Sequence, residues 1–170
     1  MLLSCTKKLA DALKIKVFEV VPLRRNPLYE WHANLFVFNR RKGVIVMNNL
    51  TRYSVVLYGL KAEHFKKFNE LVLSAIEQTL RAEGFSDEVI SNFVRTSARV
   101  IYAKSSDRSI LGQLVDVQYH LEWRLDERAP IDSIFLVDIS KELNRIPLSK
   151  QMNYDYAIDL LQAELEKVQQ

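Results

Sequence analysis

The chain has 170 residues and a mass of 19.8 kDa, with 48% hydrophobic and 26% charged residues and only four Gly and four Pro. That balance suits one folded domain and excludes a disordered, collagen-like or linker-rich chain. Net charge is +3, yet residues 1–60 carry ten Lys and Arg against three Asp and Glu, while residues 61–170 carry fourteen against eighteen. The positive surplus is therefore N-terminal, where it raises the local concentration of anions. Cys5 is the only cysteine, which excludes a disulfide framework and a Cys-based zinc site and suits a reducing compartment such as a bacterial cytoplasm. No apolar run approaches the roughly 18 to 20 residues of a membrane-spanning helix, and Lys7 and Lys8 follow too soon for a signal peptide. A cytoplasmic protein with no membrane association is expected.

In chain order, Leu2 to Cys5 reads as a short strand, and Thr6 is placed to cap a helix over Lys7 to Lys14. Pro22 and Pro27 flank Arg24 and Arg25 in a segment read as a basic loop. Three strands follow, Trp31 to Phe38, Val44 to Asn49 and Tyr53 to Tyr58, each rich in β-branched or aromatic residues. Short links favour an antiparallel meander, with Asn39 to Gly43 as a basic turn in which Gly43 takes the left-handed conformation. Three-to-four-residue apolar spacing predicts a helix over Lys61 to Glu83, closed by Gly84, and a shorter one from Ser86 to about Arg95. Arg99 to Ala103 reads as a strand. Asp107 or Ser106 is placed to cap a long helix from Arg108 to about Asp126, with Gly112 read as a point of close backbone approach and Tyr119 as broadening its apolar face. Ile134 to Ile139 reads as another strand, and Tyr154 to Val168 as a terminal amphipathic helix.

The expected fold is α+β: an antiparallel sheet, its meander near residues 31–58, with amphipathic helices on one face. Residues 1–170 read as one globular domain in which 127–170 could form a C-terminal extension.

Alternation along Trp31 to Phe38 puts His32 and Asn34 on the face opposite Trp31, Ala33 and Leu35, with Asn34 expected beside Asn48 or Asn49. Phe36 and Phe38 share that face, a mixture suited to stacking a base and binding its edge, or to an ordinary solvated strand. Arg108 and Lys104 flank a strand-to-helix junction whose free amides could hold an anion, although Asp107 as a cap would occupy the same place. His32, His64 and His120 have no partner at zinc-motif spacing, so no metal site and no cofactor are expected. Walker, dinucleotide-binding, nucleophile-elbow and zinc-protease motifs are absent.

Three stretches carry a resemblance: Ser4-Cys5-Thr6-Lys7-Lys8-Leu9, Trp31-His32-Ala33-Asn34-Leu35 and Asp107-Arg108-Ser109-Ile110-Leu111-Gly112. Together they resemble a bacterial family catalogued as a domain of unknown function, over roughly residues 2–125. The resemblance implies a bacterial, cytoplasmic protein and brings no catalytic residues with it.

The function expected from these features is non-enzymatic binding or regulation, in which Arg40, Arg41 and Lys42 of the basic hairpin, with Arg24 and Arg25, engage an anionic partner such as nucleic acid. One alternative is an enzyme or sensor for a phosphorylated or nucleotide-like small molecule, with His32 as acid or base, Asn34 orienting and Arg108 holding the anion. Another is a protein interaction module docking through the terminal helix. The sequence fixes neither the oligomeric state nor the ligand.

Overall fold

A computed structural model describes residues 1–19, 26–128 and 133–168. Arg24 and Arg25 lie outside the described residues. The five strands are β1 (Leu2–Cys5), β2 (Glu30–Phe38), β3 (Arg41–Asn48), β4 (Ser54–Leu60) and β5 (Ile101–Lys104), in the spatial order β4-β3-β2-β1-β5. The meander β2-β3-β4 is antiparallel, as its short links require. The sheet as a whole is mixed, because β1 runs parallel to both β2 and β5. Helix α1 (Lys7–Leu13) lies between β1 and β2 in the chain and makes the crossover that a parallel pair needs. A four-residue strand gives no sign of its direction, which is why the antiparallel expectation failed there.

Helices cover both faces of the sheet, not one. On the first face Leu3, Trp31, Ala33, Leu35, Val44, Val46, Val55 and Leu57 pack against α1, α3 (Phe68–Glu83), α4 (Asp87–Ser97) and α7 (Ala157–Val168). On the second, Phe36, Ile45, Met47, Val56 and Tyr58 pack against α5 (Arg108–Glu127) and α6 (Val137–Leu143). The unbroken apolar run Val44-Ile45-Val46-Met47 is what such two-sided burial demands. The apolar stripe of α7, Ala157, Leu161 and Leu165, lies in the first core and so is already covered.

Local chemistry accounts for the other departures. The β2–β3 link is a two-residue turn in which Asn39 and Arg40 both take positive φ, 45° and 61°, as a type I′ hairpin requires. Gly43 therefore lies inside β3, where a Cβ would sit 2.3 Å from Phe36 Cζ and 2.9 Å from the Leu57 carbonyl oxygen. A close approach selects glycine there, whereas Gly112, where the sequence suggested one, faces open space. The stretch 61–83 divides into α2 (Ala62–Lys66) and α3, since no residue of α2 is buried and the apolar stripe begins only at Phe68.

Residues 134–139 form no strand. Leu136, Ile139 and Leu143 share a helical face instead, and the segment closes the edge of β4. The Tyr58 amide donates to the Ile134 carbonyl at 3.0 Å, and the Leu136 amide to the Val56 carbonyl at 3.1 Å. Ser140 Oγ then accepts from the Val56 amide, and the Asn144 carboxamide bonds both the amide and the carbonyl of Ser54, at 2.7 and 2.8 Å. An edge strand left with free amides invites pairing with other chains, and these side chains remove that option. Among the described residues, no helix is long and apolar enough to cross a membrane.

Candidate functional site: a basic groove and a buried polar cluster

The type I′ turn projects Arg40 at the tip of the β2–β3 hairpin and starts β3 with Arg41 and Lys42, all three exposed. β3 then pairs with β4, which leads into Lys61 and α2, so the hairpin tip and the start of α2 become neighbours. Between them lies a groove of about 640 Å³ lined by Arg40, Arg41, Lys42, Lys61 and His64, with Tyr58, Gly59 and Ser133 among the remaining wall residues. Among the described residues, no acidic side chain lines it. None of the four Lys and Arg side chains is paired with a carboxylate among the described residues.

The groove has a firm wall. The Tyr58 ring stacks on Phe36 at 6.1 Å between centroids, and its hydroxyl donates to the Phe38 carbonyl at 3.0 Å. Lys42 Nζ stands 5.6 Å from the centre of the Phe65 ring, a cation–π placement that fixes its stem. His64 Nδ1 accepts from the Lys61 amide at 2.9 Å, which ties its ring to the start of α2.

The second locus lies on the α5 face of β2. His32 and Asn34 do lie opposite Trp31, as alternation requires, but the tighter turn changes their neighbours. Asn34 opposes Ile45, while His32 meets Asn49 through a 2.7 Å contact between Nδ1 and Oδ1. Asn48, opposite Trp31, belongs to the other face. There its buried side chain bonds the Leu28 and Glu30 carbonyls and the Leu50 and Thr51 amides.

α5 covers this face, so it offers no open stacking platform: Phe36 is 1% exposed and His32 4%. Asn34 is held by two neighbours. Thr6 Oγ1 donates to its Oδ1 at 3.1 Å, and its Nδ2 donates to Gln118 Oε1 on α5. Thr6 therefore makes no side-chain cap for α1.

An amide oxygen accepts, so the contact to Asn49 puts the proton on His32 Nδ1 and leaves Nε2 as a lone pair. That Nε2 is buried with no partner. Burial holds the imidazole below its ordinary value; the Asn49 bond and the Asp107 charge oppose this, and Arg52 adds to it. Arg52 occupies the β3–β4 turn at φ 63°, and two of its guanidinium nitrogens, Nε and Nη1, are buried without partners. Asp107 acts on both His32 and Arg52 through its charge while its carboxylate caps α5, accepting from the Ser109 and Ile110 amides at 2.9 and 3.1 Å. The capping carboxylate thus takes the place that a bound anion would have had at those amides. Arg108, one residue on, is exposed and makes no hydrogen bond to His32 or Asn34.

The three stretches that prompted the resemblance meet here, since β1 pairs with both β2 and β5 and the latter leads to Asp107. Over residues 2–160 the chain matches a family described as a domain of unknown function, DUF6933. The chain belongs to this family. The match runs beyond residue 125, where the resemblance stopped, and takes in α6 and the start of α7. No curated protein and no solved structure matches the chain. Among the described residues, no three His, Cys, Asp or Glu side chains gather as a metal site would need.

Sequence reasoning missed Lys61 and His64 in the groove and Arg52 in the cluster, and it gave Asn49 to Asn34 where the structure gives it to His32. Lys61 and His64 look like solvated helix residues until β4 delivers them to the hairpin. Arg52 sits in a three-residue link whose composition signals only a turn. A further surface also went unread: Val115, Tyr119 and Trp123 are exposed at four-residue spacing along α5, so Tyr119 faces solvent and not the core.

Proposed function

We propose that this family member is a non-enzymatic binding protein whose hairpin groove engages an anionic partner, nucleic acid first among them. The observation that carries this reading is that Arg40, Arg41, Lys42 and Lys61 gather around one groove, with no acidic residue among the described residues of its lining. A phosphate backbone supplies anions in a row, and a groove of this kind accepts them through Arg40 and Arg41 as forked donors and Lys42 and Lys61 as point charges. We place the protein in a bacterial cytoplasm, on the resemblance and on a single cysteine in 170 residues.

The test is binding of labelled single- and double-stranded oligonucleotides over a range of salt. If three phosphates are neutralised, log affinity for a single strand falls with log salt at a slope of about −2. Arg40→Glu with Arg41→Glu should weaken binding at least tenfold and flatten that slope. Salt-independent binding, or affinity unchanged by the reversal, would remove the groove from the account.

A further inference from the structure

We propose that the exposed face of α5 is a self-association surface, on which a second copy of this chain docks antiparallel with each Trp123 seated over the partner's Gly112. The surface uses no residue of the hairpin groove, so the proposal stands whether or not the groove binds nucleic acid. Val115, Tyr119 and Trp123 are 63%, 73% and 60% exposed, although α5 buries Ile110, Leu114, Leu121 and Leu125 on its other side. Projected at 3.6 residues per turn, Arg108, Gly112, Val115, Tyr119, Trp123 and Asp126 fall within an arc of about 80°. All six are exposed. Beside this stripe a cavity of about 490 Å³, lined in part by Val115, Tyr119, Ile146, Pro147 and Leu148, widens the apolar surface. Trp123 is steadied by the Arg124 guanidinium, 5.8 Å from its ring centre. A contiguous apolar surface with charged ends is what an interface presents.

Glycine and charge identify the occupant. Gly112 stands inside a 20-residue helix, where glycine is destabilising relative to alanine, yet a Cβ there would meet nothing within 4 Å. No contact within the described chain asks for it, so the close approach that selects glycine comes from outside the chain. Arg108 and Asp126 lie at opposite ends of the same face, and among the described residues neither is in an ion pair. Two antiparallel copies of α5, related by a two-fold axis at the level of Val117, bring Arg108 opposite the partner's Asp126 and Val115 opposite the partner's Tyr119. The same register sets Trp123 within one residue, about 1.5 Å of rise, of the partner's Gly112, where its ring has room. Opposite charges, apolar side chains and the notch thus coincide in one alignment, and the two-fold repeats each contact. Parallel copies would set Arg108 against the partner's Arg108 and Asp126 against the partner's Asp126, and would leave the two glycines facing each other.

Sedimentation velocity of the full chain over a range of concentrations tests the proposal. The wild type should pass from monomer to dimer with a midpoint at roughly 1–100 µM, as suits an interface below the standard size. Trp123→Gln should weaken the dimer about tenfold or more while leaving the urea midpoint of the monomer unchanged, because the ring is exposed in the single copy. Gly112→Gln should act with opposite signs, making the monomer more resistant to urea and the dimer weaker. Arg108→Glu and Asp126→Arg should each weaken the dimer by about fivefold, and their combination in one chain should restore it. These two positions are about 27 Å apart along one helix, so that rescue can arise only between copies. A chain that stays monomeric over the whole range, or that dimerises as well with Trp123→Gln, would overturn the proposal. So would a combined charge variant no better than the single ones, or a Gly112→Gln chain whose monomer is the less stable, since the glycine would then serve its own helix.

Discussion

Replacing Gly43 with alanine tests whether the close contact between β2 and β3 shapes the basic hairpin. The added methyl would stand 2.3 and 2.5 Å from two atoms of the Phe36 ring and 2.9 Å from the Leu57 carbonyl oxygen. Neither side yields easily. Phe36 is 1% exposed and stacked on Tyr58, and the carbonyl is part of the β3–β4 ladder. Overpacking of a tight core costs about 1–3 kcal/mol, and a clash against both a buried ring and a backbone atom belongs near the upper end. With a urea dependence of about 2 kcal/mol per molar, the unfolding midpoint should drop by roughly 1 M. Equilibrium urea unfolding, followed by tryptophan fluorescence, measures it. Phe36→Leu in the same chain should recover about 1 kcal/mol of the loss, because the two residues share the contact. A midpoint within about 0.2 M of the wild type, where roughly 1 M is expected, would show that the ring moves freely and would refute the reasoning.

Three further outcomes are expected. Asn144→Ala strips two hydrogen bonds from Ser54 on the β4 edge and should cost about 2–4 kcal/mol in urea unfolding, with faster amide exchange at Ser54; a loss below about 1 kcal/mol would contradict the edge-closing role. Burial depresses His32, so the unfolded chain takes up the proton first as pH falls below the ordinary value of 6.5. Its neutral form is fully compatible with folding above that value, and stability drains away as pH drops through it toward the lower folded value; His32→Gln should flatten this fall, and parallel pH profiles would refute it. Burial pushes the Cys5 thiol up to about 12, so a disulfide reagent at neutral pH should label it only at the rate of unfolding, and prompt labelling of the native protein would show an open path to it.

The strands of the meander, the capped start of α5 and the Gly84 closure of α3 were legible because each is written in contiguous chemistry: alternation, an Asp cap, a left-handed glycine. What failed depended on partners distant in the chain. The direction of β1 shows only in its parallel pairing with β2 and with the distant β5, and Ile134 to Ile139 is β-branched enough to pass for a strand until the β4 edge and the second core claim it for a loop and a helix. At the site, the basic residues of the hairpin were visible by charge, whereas Lys61 and His64 reach the groove only through β4. His32 was visible as a polar residue in an alternating strand, but its burial was not, since α5 had to be placed first. Arg52 carried no signal beyond that of a turn residue.

The position of β1 between β2 and β5 governs the order in which the fold can assemble. The meander is built from neighbouring segments and can close early, at little entropic cost. The β1–β5 ladder joins the two ends of a long loop, as the bond from the Met1 amino group to the Arg99 carbonyl, 98 residues away, makes plain. Docking of β5 is therefore the slow, late event, and until it occurs β1 has one bare side. Since β5 also delivers Asp107 to the polar cluster, the cluster completes last and should open first, ahead of the meander, when the protein is weakly destabilised.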